Sequence, residues 1–210
     1  MSEQEHAWLG KFGQQYTDRN AATLEELEGM YKRNYGISRT ELNLKFLEGI
    51  DRQVPILEVG ANIGNQLMCL QKMGFSRLYG IELQSYALRI SRSGTLGIDM
   101  VRGSAFDIPF KDASFDLVFT SGLLIHIHPS QVTEVMKEIH RCTRRYIWGL
   151  EYYADKFTEG PYRGHQQLLW KSNYPKLFLG GFHDLELVKE ERLEYLTSDL
   201  VDTMYLLEKK

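Results

Sequence analysis

The sequence predicts an α/β fold, a mostly parallel seven-stranded sheet with helices on both faces and a helical cap in front of it. Three observations carry this. From Val54 onward, short β-rich runs alternate with amphipathic segments, the pattern of strand-helix-strand units. The first run, ILEV, breaks into glycines and leads into a helical segment. The fifty residues before it show only helix-spaced apolar positions.

Length and composition agree. A chain of 210 residues, 43% hydrophobic and 25% charged, fits one ordinary globular domain over 1–210. A net charge of -3 offers no electrostatic footprint for nucleic acid. The basic cluster Arg141, Arg144 and Arg145 reads as a solvated helix end. Cys69 and Cys142 belong to no C-x-x-C pair, so they read as buried thiols rather than zinc ligands or a disulfide. The first ten residues, MSEQEHAWLG, lack the apolar core of a secretory signal, and no run approaches the ~18–20 apolar residues that span a bilayer. These readings point to the cytoplasm, with no membrane partner.

In chain order, residues 1–50 form the cap. Leu24, Leu27, Met30 and Tyr31 make one helical stripe; Leu42, Phe46 and Leu47 make a second after the N-cap candidates Ser38 and Thr40. The cofactor-binding core, 53–151, carries strands at 54–59, 77–82, 99–102, 115–120 and 145–151, with helices near 64–73, 84–93 and 131–142. The last helix is the clearest, because Val132, Val135, Met136 and Ile139 share one face and Pro129-Ser130 mark its start. Residues 152–170 are aromatic and irregular, too long for a simple connection, and read as a substrate-binding insertion. A helix near 172–179, a turn at Gly180-Gly181 and β-like runs at 184–189 and 200–207 complete the chain within 171–210.

The stretch ILEVGANIG raises the chemical question. A dinucleotide fingerprint needs glycine at 60, 62 and 65, where this chain has Gly60, Asn62 and Asn65. Glu58, Gly60 and Gly64 instead give an acid followed by glycines, and asparagine tolerates the positive φ that Asn62 would need. Glu82 ends the second strand, where a carboxylate can accept from ribose hydroxyls. Beyond the fourth strand lie His126 and His128; ligands of open α/β sheets sit at that edge, and histidine titrates near neutral pH. His126 is the candidate proton acceptor. A His126-x-His128 metal pair lacks a third ligand, so no metal is expected.

Together, LEVGANIG, YGIEL, GSAFDIPF and FDLVFTSGLLIHI resemble, in order and spacing, the class I S-adenosylmethionine-dependent methyltransferases, whose fold is Rossmann-like. FGQQYTDRN at 12–20, EYYADKFTEGPYRGH at 151–165 and the C-terminal YLLEK resemble the methylases associated with pseudaminic acid biosynthesis. The resemblance implies S-adenosylmethionine as cofactor, S-adenosylhomocysteine as product, and a nonulosonic sugar or its nucleotide-activated form as acceptor. It implies that Ser104, Ala105 and Phe106 border adenine, Ser104 replacing the acid usual there, with Asp107 a second candidate. Thr120 counts with the cofactor-binding residues. Tyr16 and Arg19 would fold over the cofactor, Arg19 meeting a carboxylate. Tyr152, Tyr153, Tyr162 and Trp170 would wall a sugar ring, with Arg163 and His165 holding an anion. The rivals are an NAD-dependent sugar dehydrogenase and a non-catalytic module that binds the cofactor.

Overall fold

A computed structural model describes residues 3–20 and 23–210. Residues 1–2 and 21–22 of the expected cap lie outside the described residues. Four helices open the chain: α1 (Glu3–Leu9), α2 (Lys11–Asn20), α3 (Leu24–Tyr35) and α4 (Arg39–Leu47). Thr23 and Ser38 cap α3 and α4 with reciprocal capping boxes, each side chain accepting from the N–H of Glu26 or Glu41 while that glutamate answers the cap. Thr40, the other cap candidate, lies inside α4, and its N–H donates to Glu28. Of the expected α3 stripe, Leu27 and Tyr31 are buried, whereas Met30 is exposed and borders the cleft described below.

The sheet follows as β1 (Ile56–Val59), β2 (Leu78–Glu82), β3 (Asp99–Arg102), β4 (Phe115–Ser121), β5 (Thr143–Tyr152), β8 (Leu185–Glu194) and β9 (Val201–Lys209), in the spatial order β3-β2-β1-β4-β5-β9-β8. The first five are parallel; β9 and β8 are antiparallel. Between them run α5 (Asn65–Lys72), α6 (Ser85–Ser91), α7 (Val132–Cys142) and α8 (Tyr174–Gly181). The strand order reverses between β1 and β4, and such a reversal opens a crevice at the carboxyl edge.

Alternation along the strands feeds two apolar layers. Leu57 and Val59 pack with Val132, Val135, Met136 and Ile139 of α7, while Ile56 packs with Leu42 and Phe46 of the cap. Glu58 shares the face of Ile56 and so points to the cap side.

Several sequence boundaries move, for physical reasons. α7 begins at Val132, two residues after Ser130, because the N–H groups of Gln131 and Val132 both donate to the His128 carbonyl and close a turn first. β5 starts directly after α7, so Arg144 and Arg145 lie on a strand and not at a helix end. Each of the three arginines pairs with a carboxylate: Arg141 with Glu138 and Asp112, Arg144 with Asp116, Arg145 with Glu208. The turn expected at Gly180-Gly181 is helical, since neither glycine takes a positive φ and the Phe182 N–H still bonds the Phe178 carbonyl. Phe182, the C-cap, is extended and stacks on His140 at 4.3 Å.

The run read as 184–189 extends to Glu194. It is an edge strand with only Leu185 and Leu193 buried, so its charged middle carries no apolar signal. A bulge between Leu187 and Lys189 bends it. The insertion is not irregular throughout: β6 (Thr158–Glu159) and β7 (Trp170–Lys171) pair antiparallel. Within it Tyr162 and His165 exchange both backbone hydrogen bonds around Arg163 (φ 55) and Gly164 (φ 82), a tight turn with two left-handed residues.

Candidate active site

The loop after β1 is shaped by three residues in left-handed backbone, Gly60 (φ 77), Asn62 (φ 49) and Gly64 (φ 86). A Cβ at Gly60 would meet the Leu123 side chain at 2.7 Å, so the close approach of the β4 loop requires glycine there. The N–H groups of Gly60 and Ala61 both donate to the Ile81 carbonyl, tying the loop to β2. Glu82 completes the lock: its carboxylate accepts from the N–H of Asn62 and from that of Gln84, each at 2.8 Å. Burial raises the Glu82 carboxyl above its ordinary range, and these N–H donors oppose that shift.

Two cavities open at this edge and share Tyr16, Gly60, Asn62, Ser121, Gly122 and His126 as a common wall. The smaller, ≈ 110 Å³, lies between Glu82, Leu83, Ala105 and Phe106 on the sheet side and Trp8 from the cap. Ser104 also lines it; its hydroxyl donates to Glu5 of α1 at 2.9 Å and accepts from the Phe106 N–H. The cap is fastened here by Gln84, whose side-chain amide donates to the Trp8 carbonyl and whose oxygen faces the Thr17 hydroxyl at 3.4 Å.

The larger lobe, ≈ 420 Å³, holds Glu58, Arg19, Tyr152, Tyr162 and Arg163. Glu58 is buried with one carboxylate oxygen unpartnered, and desolvation lifts its carboxyl well above the usual range, against the pull of Arg39. The side-chain oxygen of Asn62 is likewise buried without a partner. Unmet acceptors beside a glycine loop are the groups that an amino-acid tail with an ammonium would satisfy, while Glu82 offers a carboxylate to a ribose. The residues therefore fit an adenosyl amino acid.

His126 stands at the junction. It lies on a 3₁₀ turn, Leu124–His126, and its ring packs on Trp8 (4.6 Å) and Tyr162 (4.9 Å). Its Nδ1 faces the Leu168 carbonyl at 2.6 Å, which makes Nδ1 the protonated nitrogen and leaves Nε2 with a lone pair. Burial pushes the imidazole down to about 4, so at neutral pH the ring is uncharged. Glu151 holds this turn in place: its two oxygens accept from the N–H groups of Leu123 (3.1 Å) and Ile125 (3.3 Å). Burial raises the Glu151 carboxyl to about 7.

Not every candidate reaches the cleft. Gly64 serves as N-cap of α5 and faces Thr95. Thr120 is buried in β4 beneath the loop and lines neither lobe. Tyr153 is covered by the Arg192 guanidinium, 3.2 Å from its ring centroid, and its hydroxyl bonds Asp155. His165 lies at the surface, its ring 5.0 Å from Phe12, and tethers the insertion to the cap. Asp107 is exposed, its N–H held by the Ser104 carbonyl. Trp170 is buried against His128. Among the described residues no group of three or more His, Cys, Asp or Glu could hold a metal, and no helix is long and apolar enough to cross a membrane.

Sequence reasoning missed Trp8, Glu151, Asp202 and the tyrosines Tyr31, Tyr35 and Tyr195, which also line the larger lobe, save Trp8. The one available signal was an acid inside an apolar strand, as in YIWGLE and VDTMYLL.

Residues 57–146 match the family model described as a methyltransferase domain. A protein of Encephalitozoon cuniculi named as a methyltransferase is 26% identical over 147 residues, which are 66% of this chain and 63% of that one. The aligned stretch thus spans less than two thirds of that relative. Among solved structures, the Burkholderia thailandensis 1,6-didemethyltoxoflavin-N1-methyltransferase, with 1,6-didemethyltoxoflavin and S-adenosylhomocysteine bound, superposes with a TM-score of 0.69 at 14% identity, covering 100% of this chain and 91% of its own. A Methanosarcina mazei S-adenosylmethionine-dependent methyltransferase gives 0.65 at 16% identity over 76% of this chain and 94% of its own. At such identities the structures speak for the fold alone. The chain has a Rossmann-like class I fold, and its residues 57–146 are similar to a methyltransferase domain.

Proposed function

We propose that the chain is an enzyme that methylates an oxygen or nitrogen of a small acceptor, a nonulosonic, pseudaminic-type sugar or its nucleotide-activated form, releasing S-adenosylhomocysteine. The observation that carries the catalytic part is the fixed tautomer of His126 on the wall shared by both lobes. When bound, S-adenosylmethionine would supply a sulfonium-activated methyl carbon for in-line attack by the acceptor atom, with S-adenosylhomocysteine as the leaving group.

The protein's tasks are alignment, exclusion of water and removal of one proton. His126 Nε2 accepts a hydrogen bond from the acceptor O–H or N–H and takes that proton as the new bond to carbon forms. An uncharged ring at neutral pH suits this role. Glu82 holds the ribose, Ser104, Ala105 and Phe106 border the adenine, and Gly60 lets the backbone approach. Glu58 and Asn62 receive the amino group of the tail, while Arg19 and Tyr16 meet its carboxylate. Trp8 closes the cleft over His126. Arg163, held at the tip of a tight turn, and Tyr162 stand where an acidic or phosphorylated acceptor would enter. The sugar class itself rests on the flanking segments 12–20 and 151–165 and their resemblance to the pseudaminic acid-associated methylases.

The test is incorporation of isotope-labelled methyl into free and CMP-linked nonulosonic acids and their biosynthetic precursors, read by mass spectrometry of the small-molecule fraction. Labelled product from one of them is the expected result. A protein that binds S-adenosylhomocysteine tightly yet labels none of these compounds would send the acceptor assignment back to another chemical class.

A further inference from the structure

Because β9 runs antiparallel to its neighbour β5, its first residues return to the carboxyl edge where the cleft opens, and the register sets Asp202 opposite Tyr152. Asp202 is 5% exposed and lines the larger lobe. One of its oxygens accepts from the Tyr35 hydroxyl at 2.6 Å and faces the Tyr195 hydroxyl at 3.4 Å; the other, also buried, has no partner. Among the described residues no cation lies within ion-pair distance of it. Arg39 of α4 and Lys171 of β7 act on it only from farther away: Arg39 donates to the Tyr31 hydroxyl instead, and the Lys171 ammonium lies 6.0 Å from the Tyr152 ring.

Around this carboxylate stands a continuous aromatic row. Tyr31 meets Tyr35 at 5.4 Å, Tyr35 meets Tyr195 at 4.7 Å, and Tyr195 meets Tyr152 at 6.4 Å between ring centroids. All four border the same cavity.

We propose that Asp202 and these tyrosines form the acceptor subsite for a protonated amino group. A buried carboxylate with an unmet oxygen costs free energy until a cation with N–H donors arrives. Aromatic faces add to the attraction of an ammonium but give little to an amide or a hydroxyl. Arg163 lines the same lobe, so the acceptor that fits both ends is amphoteric: an amino group on the Asp202 side and an acidic group at Arg163. This rests on the methyltransferase reading, since it assigns the Asp202 end of the cavity to the acceptor, and it narrows that reading to amino-bearing molecules.

The test uses the full chain loaded with S-adenosylhomocysteine and titrated by calorimetry with glucosamine, N-acetylglucosamine and glucose as probes. Glucosamine is expected to bind at least about tenfold more tightly than the other two, and Asp202→Asn to erase that preference while the affinity for S-adenosylhomocysteine stays unchanged. Tyr152→Leu, at a half-buried position, guards against a misfolded Asp202 variant; it is expected to weaken glucosamine about two- to fivefold and leave glucose unaltered. Equal affinities for the three probes in the wild-type protein, undetectable binding of all three included, overturn the proposal. So does an amine preference that survives in Asp202→Asn. Failure of the wild-type protein to bind S-adenosylhomocysteine would strike the methyltransferase reading instead.

Discussion

Glu82 in the smaller lobe and Asp202 in the larger are both buried acids, yet they are held differently. Glu82 takes both of its donors from backbone N–H groups, at Asn62 and Gln84. Asp202 takes its closest donor from the side chain of Tyr35, 167 residues away, and leaves one oxygen open. Backbone donors set by a glycine loop and a strand end are rigid and indifferent to most surface changes. Side-chain donors from α3 and from the segment between β8 and β9 can be exchanged one at a time without disturbing the sheet. The end of the cleft proposed for the ribose and adenine is therefore built from local geometry, and the end proposed for the acceptor from distant parts of the chain.

The sharpest test of this division is His126, on the boundary. His126→Ala is expected to lower kcat by about 10²–10⁴-fold, with affinity for S-adenosylhomocysteine within about threefold of wild type. A parallel loss of cofactor affinity would merge the two lobes into one energetic unit. Next in size, Glu151→Ala removes the acceptor of two N–H groups that fix the His126 turn, and should cost about 2–4 kcal/mol in urea unfolding. In the smaller lobe, Glu82→Ala should weaken S-adenosylhomocysteine about 30- to 100-fold by calorimetry, from the loss of the proposed ribose contact and two orphaned N–H groups.

A pH effect of roughly 2 kcal/mol follows from the His126 ring. Its folded-state value of about 4 lies below the unfolded value of about 6.5. The neutral ring therefore contributes fully above pH 6.5, and that contribution is lost as pH falls toward 4, where the unfolded chain binds the extra proton. The stability difference between wild type and His126→Leu, measured at pH 7 and pH 4.5, should shift against the wild type by that amount. Glu151, raised to about 7, has the opposite sign: its contribution is lost as pH rises from the ordinary carboxylate range through 7. Using the difference between two proteins that share Glu151 isolates the histidine. The smallest effect belongs to Tyr153→Phe, which should leave kcat/KM within about twofold, because Tyr153 sits under Arg192 outside both lobes.

The same division explains what could be read from the sequence. Gly60, Asn62 and Glu82 lie within two dozen residues, and their types follow from backbone conformation and strand ends, which local sequence encodes. The α7 stripe is legible because one face of it meets the sheet continuously. Trp8 reaches His126 only through the folding of α1 over the cleft, and nothing in EHAWLG announces that. Glu151 looks like a strand-ending acid until the turn above it is known. Asp202 needs the reversal of β9, a property of topology and not of the residues around it. Tyr153 and His165 misled for a related reason: an aromatic, basic stretch has sides, and the ribbon of β6 and β7 decides which residues face inward.

The two borders of the sheet have a bearing on how the protein behaves at high concentration. β3 is only four residues long with Asp99 and Arg102 exposed, and β8 is bulged and carries Lys189, Glu190, Glu191 and Arg192 along its middle. Neither offers a flat, uncharged rail onto which a second chain could zip. Strand-by-strand growth is thus disfavoured at both flanks of the seven-stranded sheet.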